Sequence, residues 1–510
     1  MNHKFSITLD KTIEVILKIP PILLLLPIIF GMLPIRVAFA DQSEVTEIRR
    51  NLKQMKAEYE RRIQALEQRL ERAEAAAKRA EDKAETASRT QSQTAMPPPI
   101  TSKSGSVNSG NAFNPQVSII LNGNYYSDST QGKGGEYHSE AFQPSHSHAH
   151  GHGHDEHEHN YPANGFNLSE AELAFSATVD PYFDANAYMA VDGNGNFELE
   201  EAWFQTRNIP YGFKIKGGKF LSDFGYINKQ HPHQWDFADQ NLAYLNLLGY
   251  HGLQDTGVQI TWLPDWSLYT LFGVELLHGD QELFGATVDE EIQTKLNVGS
   301  TAEGPRLWTA FIKIAPDLGY NHALQFGLSY AHNRQHQEIH EYDENANTGV
   351  GLSGTADLWG LDLVYKYDSP KPYGHGDFKL QTEYLRAVKD LTVRGIGVAG
   401  PNAVIGSARK FTTDGWYIQS LYGIAPRWQV GVRYDVLGLT NEVSGGVTND
   451  FGSSSRWSLA LSWFPTEFST IRLQYSHSNI LIDGGNSREK FDTFWLQFLM
   501  SLGSHGAHSF

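Results

Sequence analysis

The chain has 510 residues, no cysteine, and 41 Lys and Arg against 58 Asp and Glu, a formal net charge of −17. Without cysteine, disulfide scaffolds, thiol catalysis and cysteine-based zinc sites are excluded, and the acidic balance argues against nucleic acid as the main partner. Hydrophobic residues make up 40% and aromatic residues 12%, with 47 glycines; many Tyr, Trp and Phe beside few aliphatics argue against a large α/β core and fit strands that alternate aromatic and polar side chains.

Residues 1–40 read as a signal peptide. Lys4, Lys11 and Lys18 form a basic start, Ile22 to Leu33 an apolar stretch, and Ala38-Phe39-Ala40 a cleavage site. The stretch is too short to span a membrane as a helix, and no later apolar run is long enough. Export is therefore expected, with no transmembrane helix in the mature protein.

Residues 41–88 are predicted to form a coiled coil. Val45, Ile48, Leu52, Met55 and Tyr59, then Ile63, Leu66, Leu70 and Ala73, repeat at alternating three and four, the spacing of an a/d seam. Tyr59 to Ile63 is a stutter. Ala replaces Leu after Leu70, which thins the packing. The Ser-, Gly- and Pro-containing run 89–112 follows as a flexible linker.

From Gln116 the period becomes two. Trp428, Val430, Val432, Tyr434 and Val436 alternate with Gln429, Gly431, Arg433 and Asp435; Trp457, Leu459, Leu461 and Trp463 alternate with Arg456, Ser458, Ala460 and Ser462. Aromatics near the strand ends of the apolar face suit a membrane girdle, and Arg, Gln and Ser on the other suit a wet lumen. Sixteen such segments start near 116, 167, 182, 196, 213, 256, 267, 306, 322, 357, 377, 413, 427, 455, 468 and 492, with 14 or 18 as alternatives. Short connections carry Pro181, Pro210, Pro264, Pro316, Pro370, Pro426 and Pro465; long polar ones cover 128–165, 222–255, 278–305, 332–356, 387–412, 438–454 and 478–491. The connection at 192–195 breaks the alternation, and Asp192 to Asn196 is read as a hairpin turn. The expected fold is an all-β transmembrane barrel of about 16 antiparallel strands over 113–510 with an N-terminal α-helical coiled coil. Short turns and both termini would face the periplasm, and 128–165 would be the first external loop.

The barrel resembles a Gram-negative outer-membrane porin-like family, often labelled zinc-regulated TonB-dependent outer membrane receptors and distantly like the phosphate-selective porins. The residues that carry it are Asn114-Pro115, the run from Asn167 to Leu173 (NLSEAEL), Glu198 to Gln205 (ELEEAWFQ), Gly217 to Phe220, Gln230 to Gln240 (QHPHQWDFADQ) and the tail from Gly503 to Phe510. The coiled coil and linker occupy the place where a TonB-dependent receptor carries its plug domain. The resemblance implies that the long loop after the fifth strand narrows the lumen.

Three groups could hold metal. His146, His148, His150, His152, His154, His157 and His159 lie within one short tract with Asp155, Glu156 and Glu158. Imidazole and carboxylate suit Zn²⁺, Ni²⁺ or Cu²⁺, and overlapping ligand sets imply weak, fast capture. His332, His336 and His340 are spaced by four with Glu338 beside them, and would share a face if helical. His231 and His233 flank Pro232 and would point the same way in an extended segment. Against each stands a plainer reading, a solvated loop or packing around Trp235 and Phe237.

Motifs for phosphate-loop, nucleophile-elbow and HExxH chemistry do not occur, so the expectation is a channel and no enzyme. No cofactor is required, and Zn²⁺ (or Ni²⁺ or Cu²⁺) enters as transported or loop-bound ion. Residues 91–510 carry 25 Lys and Arg against 45 Asp and Glu, which biases the expected passive uptake toward cations. The alternatives are a general or anion/sugar porin with an incidental His loop, and a structural tether of the outer membrane. The coiled coil needs partners, so a homotrimer is expected in outer-membrane lipid, with periplasmic or cell-wall contact through that coil.

Replacing 146–159 by Gly and Ser is expected to lower zinc accumulation by zinc-limited cells, and metal affinity of the tract should fall as pH drops below about 6.5, where imidazole protonates. Equal accumulation at equal barrel levels would deny the tract a role.

Overall fold

The computed structural model describes residues 115–503 except 140–161, 194, 282, 286–287, 289, 344–347, 398–403, 446–448 and 483–486. The leader, the coiled coil of 41–88, the linker and the His tract with Asp155 lie outside the described residues.

Alternating sequence becomes strand throughout. The first half contains β1 (Gln116–Asp128), β2 (Gly165–Thr178), β3 (Phe183–Val191), β4 (Phe197–Thr206), β5 (Phe213–Leu221), β6 (Gln254–Trp262), β7 (Tyr269–Leu277) and β8 (Leu307–Ala315). The second contains β9 (His322–Asp343), β10 (Thr348–Tyr367), β11 (Phe378–Ile396), β12 (Ala408–Ala425), β13 (Trp428–Ser444), the two-residue β14 (Asn449–Asp450), β15 (Ser454–Thr466), β16 (Ser469–Ile482) and β17 (Ser487–Gly503). Short helices α1 (Gly134–Ser139), α2 (Leu242–Leu248) and α3 (Glu290–Lys295) stand in the connections. Each strand pairs antiparallel with its neighbours, and β1 pairs with both β2 and β17, so the sheet closes. β14 only edges β13, which pairs onward with β15, leaving sixteen strands in the barrel. Closure satisfies every ladder and removes the sheet edge, as a lipid-facing sheet requires.

The exterior carries the expected belt. Val432, Leu459, Leu361 and Ile260 are exposed on it. At the short-turn end Trp428 stacks on Trp463 and Phe213 on Trp262; at the long-loop end Tyr434 meets Trp457 and Tyr330 meets Trp359. Trp457 and Trp463 are six residues apart on β15, about 20 Å at ~3.3 Å per residue, near the ~25 Å apolar band of such barrels. Among the described residues no helix is long and apolar enough to cross a membrane, which does not bear on crossing by strands.

Two expectations fail. The segments 332–356 and 387–412, predicted as loops, are mostly wall: β9 runs to Asp343, β10 starts at Thr348, β11 runs to Ile396 and β12 starts at Ala408. Their polar residues on both faces mimic a loop because strands that rise past the belt need no apolar exterior. The lumen is also filled rather than wet. Inward residues of the wall such as Gln381, Glu383, Asp435, Arg456 and Ser476 are buried.

What fills it is residues 222–253, the connection after β5. Its apolar side chains, Phe224, Leu242, Tyr244 and Leu248, pack with Leu385, Tyr417, Leu437 and Phe491 of the wall in one buried cluster. Its polar groups are wired to the wall. Tyr226 and Ile227 donate their amides, and Tyr244 and Tyr417 their hydroxyls, to the buried Glu383 carboxylate. Asp236 accepts from Lys379 at 2.6 Å and Gln419 at 2.7 Å. Asp239 accepts from Arg433 at 2.6 Å, Arg456 at 2.8 Å and Gln474 at 2.7 Å, and both guanidinium groups also reach Asp435. Burial alone would raise the pKa of Asp239, but Arg433 and Arg456 overcome it and hold the carboxyl well below the usual range. Gly225 sits at φ +63°, and a Cβ there would strike the Tyr244 hydroxyl, so only glycine lets the chain pass.

Arg456→Ala leaves Asp239 and Asp435 sharing one guanidinium, and breaking such a buried network costs about 3–5 kcal/mol. The expected result is a lower thermal midpoint together with a higher single-channel conductance, as the segment unseats. A variant that loses stability with conductance unchanged would separate this network from occlusion of the lumen.

Candidate metal centre

The inward face of the low wall carries acids. Glu170 and Glu172 lie two apart on β2, so both point inward. On β4 the register against β3 slips between Tyr188 and Met189, whose partners are Glu201 and Leu199. This bulge inserts one residue and turns two successive carboxylates, Glu200 and Glu201, to the same buried side. Across from them segment 222–253 presents His231 and His233 around Pro232, which opens a 3-10 turn over Pro232–Gln234. The two imidazoles stack, with centroids 5.7 Å apart and planes at 16°, and Tyr188 covers His231 at 4.8 Å.

Four carboxylates and two imidazoles thus meet in a buried seam between the inward segment and the wall. His231 Nε2 lies 2.8 Å from Glu201 Oε1. Its Nδ1 lies 3.3 Å from Glu200 Oε2 and 3.4 Å from Glu172 Oε2, and His233 Nδ1 lies 3.3 Å from Glu172 Oε2. These longer contacts lack hydrogen-bond geometry: both oxygens of Glu172, Oε1 of Glu170, Oε2 of Glu200 and Nδ1 of His233 are buried without a hydrogen-bond partner. Burial works against charge on His231, yet the adjoining Glu200, Glu201 and Glu172 prevail and hold its pKa well above that of ordinary imidazole. These orphaned oxygens and the one orphaned nitrogen converge where they could hold a divalent cation, and the mixture of imidazole and carboxylate suits Zn²⁺ or a similar ion. A narrow crevice opens beside it, lined by Glu200, His231, Tyr250 and His251. At its rim the exposed His251 lies 3.5 Å from Glu198.

The other histidine group behaves differently. His332, His336 and His340 lie on strand β9 and not on a helix, so spacing by four does not put them on one helical face. A register slip between Gly354 and Ala356 of the partner strand separates His332 from the other two. His332 joins the exterior, 2.8 Å from Asp357 and against Trp308. His336 and His340 do meet, at Glu338, which lies 2.7 Å from one Nε2 and 2.9 Å from the other. Lys389 also bonds Glu338, and Phe284 O faces His336 Nδ1 at 3.0 Å. An ammonium stands where a metal ion would, so the expected triad is not assembled as a metal site. Of the histidines singled out from sequence, the structure brings together His231 and His233 with acids that sequence reasoning did not name as ligands. The signal was present: E-x-E on β2 and E-x-E-E on β4 put acids at inward positions of barrel strands, where ionisable groups are costly without a partner.

No family model matches the chain. Among solved structures it is similar to OprB of Pseudomonas putida (TM-score 0.45, 10% identity, covering 76% of this chain and 94% of that one). It is also similar to an anion-selective porin from Comamonas acidovorans (TM-score 0.42, 9% identity, 76% and 99%). A protein of Aquifex aeolicus (strain VF5), described as "Uncharacterized protein", is 35% identical over 349 residues, 68% of this chain and 70% of its own length. Identity at that level over two thirds of both sequences means that this chain belongs to the same family as the Aquifex aeolicus protein.

Proposed function

We propose that the chain forms an outer-membrane channel for passive entry of small hydrophilic solutes, biased to cations and to divalent metal such as zinc above all. In this reading the acid–imidazole seam is the station where the ion dwells, and segment 222–253 is the gate. The observation that carries it is the set of buried, unpartnered oxygens on Glu170, Glu172 and Glu200 facing His231 and His233. The crevice bounded by His251 and Glu198 supplies a route of ligands from the long-loop end. Of the inward arginines, Arg433 and Arg456 are neutralised by Asp239 and Asp435, and Arg472 is held by Ser462, Gln497 and the Trp235 carbonyl. The closed sheet with its aromatic girdles supports placement in an outer membrane, long loops outward.

A filled lumen also favours a second reading, in which the barrel anchors a periplasmic coil as a structural tether. Planar-bilayer recording separates the two. The channel reading expects cation-selective reversal potentials at low salt, weakening at high salt as charges are screened, and a monovalent current that falls when Zn²⁺ occupies the station. Anion preference would contradict it. Silence from both the natural protein and Arg456→Ala would favour the tether.

Assembly as a homotrimer, held in part by the N-terminal coil, belongs to the same proposal. Light scattering in mild detergent should return three chains per particle, and deletion of 44–88 should weaken the trimer while leaving a folded barrel; a full-length monomer would contradict it.

A further inference from the structure

The seam contains two ligand triads rather than one. Glu170, Glu172 and His233 form the first, Glu172, Glu200 and His231 the second, and within each the donor atoms lie within 4.8 Å of one another. We propose that this is a two-ion site, one divalent cation on each triad, with the Glu172 carboxylate bridging them. The inference rests on the reading of the seam as a cation station and specifies its stoichiometry.

Two observations carry it. Glu172 is fully buried, both of its oxygens lack a hydrogen-bond partner, and Nδ1 of both His231 and His233 approaches its Oε2, so this one carboxylate is shared by the two triads with neither oxygen spent on a protein donor. Donor atoms on one ion sit about 2.0–2.2 Å from it, so triads of this span close on an ion with shifts of at most about 0.7 Å at each donor. Glu201 takes the outer role: its bond to His231 Nε2 fixes that proton and frees Nδ1 for the ion. Three of the ligands belong to the wall and two to the inward segment, so the ion pair also ties the gate to β2 and β4.

The test uses the full chain in detergent with 146–159 replaced by Gly and Ser to remove that competing tract, equilibrated with Mn²⁺. Two ions per chain and an exchange-broadened electron paramagnetic resonance spectrum are expected, since a shared carboxylate holds the ions close. Glu172→Gln should lose both with at least a tenfold drop in affinity. Where that variant fails to fold, His233→Ala should retain one ion with an isolated six-line spectrum. One ion per chain, or two that give only isolated spectra, overturns the two-ion site while leaving the station standing. No ion at all overturns both. Two coupled ions in a barrel that passes no cations would keep this inference and end the transport reading.

Discussion

The interior depends on one buried ion network, in which Asp239 of the inward segment meets Arg433 and Arg456 of the wall and both guanidinium groups continue to Asp435. Each of these charges is expensive inside a barrel unless paired, and the network is neutral as a whole. The arginines are long enough to cross part of the lumen, and Asp239 is the group they meet. Arg456 also holds Gln240 O, Arg472 holds Trp235 O, and Asp435 receives the Leu242 amide. The path of the segment from Trp235 to Leu242 is thereby fixed by strands β13, β15 and β16, far from it in sequence. With that path fixed, residues 231–233 face β2 and β4 on the opposite side.

The two buried histidine groups show how one added cation changes what a cluster is for. Glu338 faces His336 and His340, and Lys389 completes the set, so the charge is balanced within the protein. In the seam four carboxylates face two imidazoles, and several of their oxygens meet no donor. The first arrangement is finished as it stands. The second crowds acidic oxygens together and leaves several of them without hydrogen bonds in the same place, the condition a bound metal relieves.

Much of the barrel is legible in the sequence, because period two, paired aromatics and proline turns are local. Trp428 to Val436 and Trp457 to Trp463 adopt the predicted faces, and the hairpin between β3 and β4 falls at Asp192 to Asn196. The wall above the belt is not legible. Residues such as Arg334 to His340 need no apolar face there, so a strand reads as a loop. The filling of the lumen was implied only in outline, since nothing local in Asp239 announces that Arg433 and Arg456 await it. His231 and His233 could be picked from their spacing around Pro232. Glu170, Glu172, Glu200 and Glu201 could not be joined to them by spacing, because closure of the sheet and a bulge in β4 bring them together.

Anomalous diffraction from crystals of the protein equilibrated with Mn²⁺ or Zn²⁺ tests the central claim most directly, because it locates the inward segment and the ion in one experiment. The account predicts residues 222–253 seated across the lumen with anomalous density between Glu172 and the two imidazoles of His231 and His233. An open, water-filled lumen, or metal density confined to sites away from Glu172, would contradict it.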